Sequence, residues 1–189
     1  ARDVAIAVSL RCQDYVDNAH PNYIGHFTIG ADPKLISRLQ ESDCVIAIGA
    51  RLGEMTTAGY SLLKPPRIGK TLIHIHADPE ELGRVYQADL PINAAASEVA
   101  VALAEATAAS EISPRGWVAA CRTDYETTVP AAPSTAKVDL GKVMRALQSA
   151  LPDDTIVCSG AGNYTGWVHR NWTFRHYRKQ LAPTSGAMG

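Results

Sequence analysis

With 189 residues, 46% of them hydrophobic, the chain has apolar surface enough for a sizeable core in one large or two small domains. Its formal net charge of −1, with no basic run and no acidic tail, excludes nucleic acid and an anionic membrane surface as expected partners. No apolar run approaches the ~20 residues that cross a bilayer, and Arg2 and Asp3 ahead of a short β-like run do not make a signal peptide.

In chain order, residues 3–10 form the first strand candidate. Asp32-Pro33 opens a helix over 34–41, with Asp as N-cap, Pro at the first helical position, and Leu35, Ile36 and Leu39 at helical spacing. Apolar strands follow at 44–48, closed by Gly49, and at 71–75. Asp78-Pro79-Glu80-Glu81 predicts a second helix start, with Glu81 placed as a capping-box acid. A weaker strand is expected at 90–93. Ser97 and Glu98 start an Ala-rich helix to about 109 carrying Val99, Leu103 and Ala106, and Ser113-Pro114 starts another to about 126. Residues 127–137 are polar, Pro-bearing and aperiodic, and read as a linker. Beyond it lie a helix at 140–150, a strand at 155–158, a Gly-rich turn and a further helix. Short apolar strands alternating with helices predict an α/β fold whose parallel sheet is covered on both faces.

The cysteines Cys12, Cys44, Cys121 and Cys158 include no Cys-x-x-Cys pair. Free thiols in a reducing, cytoplasmic setting are therefore expected, with Cys44 and Cys158 buried inside their apolar runs. A strand almost at residue 1 and a Gly-rich end, Ser185-Gly-Ala-Met-Gly189, read as part of a longer polypeptide.

Several clusters invite chemistry. The turn Ser159-Gly-Ala-Gly-Asn-Tyr164 follows a strand and opens a helix, a geometry suited to a phosphate or to a plain Gly-requiring connection. His74 and His76 share a strand face, as metal ligands would, but lack a third ligand, so hydrogen-bonded strand-end histidines are expected. Cys12 with Asp14, His20 and His26 offers a Cys–His nucleophile, against the simpler reading of loop residues packed on a neighbouring domain. Gly49-Ala-Arg-Leu-Gly-Glu54 sits where an open sheet holds a nucleotide pyrophosphate, and Arg51 suits a phosphate or an acid. Tyr164, Trp167, Trp172 and Tyr177 are interleaved with Arg170, Arg175, Arg178 and Lys179. That mixture fits single-stranded nucleic acid or, better in a neutral chain, a helix face packed on another domain or subunit.

Taken in order, certain stretches carry a resemblance: Val8-Ser-Leu-Arg-Cys-Gln-Asp14, His20-Pro-Asn-Tyr-Ile-Gly25, Asp43-Cys-Val-Ile-Ala-Ile-Gly-Ala-Arg51, Leu72-Ile-His-Ile-His-Ala-Asp-Pro79, Gly162-Asn-Tyr-Thr-Gly-Trp167 and Ser185-Gly-Ala-Met-Gly189. The set resembles the thiamine-diphosphate-dependent decarboxylases and carboligases of the acetolactate synthase type. The resemblance implies a partial, Rossmann-like central domain over 1–126, the linker 127–137, and the start of a diphosphate-binding α/β domain over 138–189. It implies thiamine diphosphate and Mg²⁺ as cofactors, a 2-oxo acid as substrate and a homo-oligomer. By the same resemblance Asn163 and Tyr164 contact the diphosphate, the Gly186 carbonyl accepts from the aminopyrimidine, Ala187 belongs to the cofactor-binding set, and Met188 wedges under the cofactor and holds it bent. Gly160 stands where such enzymes usually carry an acid. Leu52-Gly-Glu-Met55 replaces the charged residues of the FAD-binding synthases, which counts against FAD and leaves FAD, ADP or nothing open for the central domain. The Gly-Asp-Gly…Asn metal motif and the domain of the activating glutamate fall outside this sequence. The competing reading is a non-catalytic module that binds a nucleotide through Gly49 to Arg51.

Overall fold

The computed structural model describes residues 4–28, 30–106, 115–128 and 136–183. Strand β1 (Ile6–Ser9) is followed by a 3₁₀ turn and by β2 (Tyr23–Phe27). Helix α1 (Pro33–Glu41), β3 (Cys44–Ile48), β4 (Thr71–His76) and β5 (Leu90–Asn93) come next. Helices α2 (Ala96–Glu105), α3 (Arg115–Thr128) and α4 (Leu140–Ala150) precede β6 (Val157–Cys158), α5 (Thr165–Asn171) and β7 (Gln180–Leu181).

Every strand pair is parallel, as the alternation of strands and helices predicts. The described strands form three small sheets, β1-β2, β3-β4-β5 and β6-β7, rather than one sheet covered on both faces. On β3 the side chains alternate, so Ala47 is buried while Ile46 on the opposite face is 50% exposed. Cys44 shares that open face and Cys158 is also exposed, which corrects the expectation that both thiols are buried. An apolar run marks strand propensity; whether both faces are covered depends on neighbours outside the run. All four cysteines are free.

Two cores hold the first half together. Ala47, Leu52, Leu63, Leu72 and Tyr86 pack beneath the β3-β4-β5 sheet, and the Tyr86 hydroxyl donates to the Leu63 carbonyl at 2.8 Å. Ile24, Leu35 and Cys121 join β2, α1 and α3. Helix α1 begins as its sequence predicts, with the Asp32 carboxylate accepting from Lys34 N at 2.7 Å and Pro33 at the first position. A 2.8 Å ion pair from Arg38 Nε to Asp124 ties α1 to α3.

One helix expectation is revised. Asp78 does cap, accepting from Glu80 N at 3.0 Å, but only a single 3₁₀ turn, Pro79–Glu81, follows. Gly83 takes φ +83°, and the Glu81 carboxylate turns to Arg84 and Arg51 rather than back to the cap. Helix α2 starts at Ala96, with the Glu98 carboxylate accepting from Ala95 N at 3.0 Å, and buries none of its residues. The Ser113-Pro114 start lies outside the described residues.

Helix α4 is capped by Asp139, which accepts from Lys142 N at 3.1 Å. It packs on α5 and the segment after it. Gln148 exchanges two hydrogen bonds with the backbone of Thr173, at 2.8 and 3.0 Å, and Arg145 donates to Asn171 Oδ1 at 2.6 Å.

Candidate functional site

The Gly-rich turn leaves the carboxyl end of β6. Strand β7 lies beside β6 in parallel register, Val157 opposite Gln180 and Cys158 opposite Leu181. Val157 N donates to Lys179 O at 2.7 Å and Ser159 N to Leu181 O at 2.9 Å. The turn 159–164 and the chain leading towards residue 184 therefore emerge from the same edge. Ligands in open parallel sheets bind outside that edge.

Within the turn the Tyr164 ring folds back over the glycines. A Cβ on Gly160 would lie 2.5 Å from the Tyr164 hydroxyl oxygen, and one on Gly162 2.6 Å from the ring. A side chain at either position would have to displace the exposed Tyr164 ring from the turn. Gly160 N donates to the Tyr164 hydroxyl at 3.0 Å, and Thr165 Oγ1 donates to Gly162 O at 2.9 Å. Asn163 is exposed, and Tyr164 is 58% exposed. Gly186, Ala187 and Met188 lie outside the described residues.

Behind this edge a buried polar seam joins residues 11–18 to 169–183. Asp14 Oδ2 accepts from Lys179 N at 2.8 Å and from Gln180 N at 3.0 Å. Gln13 and Gln180 form a reciprocal pair: Gln13 N donates to Gln180 Oε1 at 3.0 Å, and Gln180 Nε2 donates to Gln13 Oε1 at 3.1 Å. The Arg11 guanidinium donates to the Pro183 carbonyl. Asn18 Oδ1 accepts from Phe174 N at 2.9 Å, and Asn18 N donates to Phe174 O at 2.9 Å. Asp17 and Arg175 pair at 2.9 Å at the rim.

Two histidines face each other in the seam, His26 and His169, with ring centroids 5.5 Å apart. Burial, then the neighbouring His169 and Arg170, push His26 down to about 3; burial, then Arg11, push His169 down to about 4. Gln13 Nε2 lies 3.3 Å from His26 Nδ1 and donates to His169 O at 3.0 Å. His169 Nε2 and Arg11 Nε are buried without a hydrogen-bond partner among the described residues.

The other candidates resolve into structural roles. His74 Nε2 bonds to Ala50 O at 2.9 Å, and His76 Nδ1 accepts from Asp78 N at 3.1 Å. Among the described residues no group of three or more His, Cys, Asp or Glu is placed to hold a metal. Arg51 Nε pairs with Glu81 at 3.5 Å, the acid-pairing alternative for that residue. Burial raises the Cys12 thiol, the reverse of nucleophile activation, and His20 Nδ1 accepts from Asn22 N at 3.1 Å. Cys12, Asp14 and His26 take packing roles, as the simpler reading expects, but His26 lies on β2 and Asp14 in a 3₁₀ turn, and the surface they meet belongs to this same chain.

The aromatic-basic stretch is an interface and not a continuous helix. Helix α5 ends at Asn171. Phe174, 1% exposed, sits against Asn18, and Tyr177 meets Tyr15 edge-on at 5.4 Å. The sequence reading missed Gln13, Asn18, Gln180 and His169, which carry no local signal because their partners lie more than 150 positions away.

The family described as "Thiamine pyrophosphate enzyme, central domain" matches residues 1–103. Over 98% of its length the chain is 28% identical to the acetolactate synthase large subunit of Corynebacterium glutamicum, covering 30% of that protein. It is 24% identical to the acetolactate synthase isozyme 1 large subunit of Escherichia coli K12 over 96% of its length, covering 31% of that protein. It is 27% identical to the probable acetolactate synthase large subunit of Methanocaldococcus jannaschii over 90% of its length, covering 29%. The chain thus spans about three-tenths of the curated relatives it matches. On the match over more than half its length, this chain belongs to the thiamine pyrophosphate enzyme family, through the central domain.

Proposed function

We propose that this chain is part of a thiamine-diphosphate- and Mg²⁺-dependent decarboxylase or carboligase that acts on 2-oxo acids, acetolactate-synthase-like and cytoplasmic. In this reading 1–126 is a partial central domain, 127–137 a linker, and 138–189 the start of the diphosphate-binding domain. The observation that carries it is the parallel pairing of β6 with β7, so that the turn bearing Asn163 and Tyr164 and the chain at Ala182 and Pro183 leave the sheet at one edge.

The turn suits an anionic group. Because the Tyr164 oxygen accepts from Gly160 N, its own O–H is left to point at an acceptor outside the turn. Asn163 presents an amide on the same exposed surface. Both would hold the diphosphate as donors. Thiamine diphosphate, when bound, supplies a nucleophilic carbon and an electron sink for chemistry beside the carbonyl of a 2-oxo acid. Met188 suits an irregular wedge because a thioether is flexible and polarizable. Mg²⁺ has no cluster of three acidic or imidazole ligands among the described residues, so its ligands belong to other segments in this reading. FAD is left out of the proposal, since Leu52-Gly-Glu-Met55 lacks the expected charges and Arg51 pairs with Glu81. The exposed Ile46 of β3 and the stripe Leu140, Val143 and Leu147 on α4 support association into a homo-oligomer.

Calorimetry on the full-length protein tests the reading. Thiamine diphosphate with Mg²⁺ should bind, and ADP or FAD binding with no thiamine diphosphate response would overturn it. Within this reading Met188→Ala lowers turnover more than it weakens cofactor binding, because the wedge orients the ring and does not hold the diphosphate. Steady-state kinetics decide that point, and unchanged turnover would make Met188 a packing residue. The isolated 189-residue chain is expected to show no decarboxylase activity at any cofactor concentration, since the activating glutamate and the metal motif lie outside it. Measurable turnover by the chain alone would refute that assignment.

A further inference from the structure

We propose that the turn at residues 11–14 is a clamp that positions the cofactor-binding edge, with Asp14 as its principal positioning residue and Arg11 and Gln13 in support. The inference rests on the functional reading above, which places the cofactor at the end of β7. Strand β7 has only two residues. So short a strand has little pairing of its own to fix where the chain leaves the sheet. Its position is instead set from the side. Asp14 holds the amides of Lys179 and Gln180, Gln13 locks the Gln180 side chain, and Arg11 holds the carbonyl of Pro183. Those contacts fall on three of the five residues 179–183, Lys179, Gln180 and Pro183, directly ahead in sequence of the segment that carries Gly186 and Met188.

The chemistry favours Asp14 as the strongest element. A carboxylate accepting from two backbone N–H groups makes charge-assisted bonds, roughly twice as strong as neutral ones. Asp14 is 4% exposed, Gln13 2% and Arg11 6%, so water does not compete for these bonds. None of these side chains is needed to touch the cofactor. Their effect passes through the backbone of 179–183, and small displacements of a binding segment cost affinity and rate out of proportion to their size.

The test uses the full-length protein with thiamine diphosphate and Mg²⁺ as the probe. Asp14→Ala should raise the apparent Kd for thiamine diphosphate about tenfold and speed amide exchange at Lys179 and Gln180. Asp14→Asn, which keeps an accepting oxygen but not the charge, should recover part of the affinity. Gln148→Ala serves as the comparison, because Gln148 holds the backbone of Thr173, ahead of β7, through two hydrogen bonds that do not involve residues 11–14. It should cost stability with little change in cofactor Kd. Unchanged Kd in Asp14→Ala, or a loss matched by Gln148→Ala at equal destabilisation, overturns the clamp and leaves the functional reading standing. Failure of the unsubstituted protein to bind thiamine diphosphate overturns the functional reading, and the clamp's role in cofactor binding with it.

Discussion

Taking the protein from about pH 7 to about pH 4 should lower the exchange protection of the Phe174, Lys179 and Gln180 amides by more than a hundredfold. These amides donate to Asn18 and Asp14 across the seam that encloses His26 and His169. Both imidazoles are held neutral, His26 pushed down to about 3 and His169 to about 4, chiefly by burial. The sign follows from proton uptake. Opened chains take up a proton on each histidine as the pH falls through the ordinary value near 6.5, whereas the closed seam does so only near 3 and 4. Stability is therefore fully present above about 6.5 and drains away from there down to about 4 for His169 and about 3 for His26, at up to roughly tenfold per pH unit for each histidine. The local geometry agrees. Gln13 Nε2 is a donor facing His26 Nδ1 at 3.3 Å, so a proton on that nitrogen sets donor against donor. Exchange measured against the intrinsic rate at each pH checks the result. His26→Leu should halve the pH slope, and flat protection from pH 7 to pH 4 would show that the two imidazoles titrate freely.

Several parts of this arrangement are legible in the sequence. Asp32-Pro33 announces α1 and Asp139 precedes α4, because a cap acts within three residues of itself. Strands β3 and β4 show as apolar runs. Strand β2 does not, since Tyr-Ile-Gly-His-Phe breaks its alternation at Gly25, which takes φ +118° against Leu35 and Tyr125. Strand β7 is too short to leave a pattern. The Gly-rich turn is visible from its composition, but the fold-back of the Tyr164 ring over Gly160 and Gly162 is not, although the contact spans only two to four residues. The seam is the least legible part. Gln13, Asp14 and Asn18 look like loop polarity until Phe174, Lys179 and Gln180 arrive from the other end of the chain, and no local spacing encodes that meeting.

Arg122→Met should destabilise the first half of the chain by about 3–4 kcal/mol, more than any exposed charge change in the molecule. Arg122 Nη1 donates to three carbonyls, Asn18 O at 2.9 Å, His20 O at 3.0 Å and Tyr23 O at 3.0 Å. Its Nε donates to Glu126 at 2.7 Å, and its guanidinium lies 5.0 Å from the centre of the Tyr125 ring. One side chain on α3 thereby fixes the path of residues 18–23, which connects the seam to β2. Methionine keeps much of the aliphatic stem and its packing but removes the donors. Carbonyls at Asn18 and Tyr23, each on a residue 1% exposed, would then lose the donor that Arg122 supplies, and an unsatisfied buried acceptor costs about 1–3 kcal/mol. Arg122→Lys should recover only part of the loss, because an ammonium carries charge without the planar fork that reaches carbonyls, carboxylate and ring together. Glu126→Ala separates the contributions. Glu126 is 58% exposed in an i,i+4 pair, and exposed pairs of that kind contribute about 0.3–0.5 kcal/mol. Chemical unfolding followed by far-UV circular dichroism should rank the variants Met, then Lys, then Glu126→Ala in order of decreasing effect. A Met variant no worse than Glu126→Ala would mean that water replaces the guanidinium at the three carbonyls, and that the fold of residues 18–23 is held by Tyr23 and Asn18 alone.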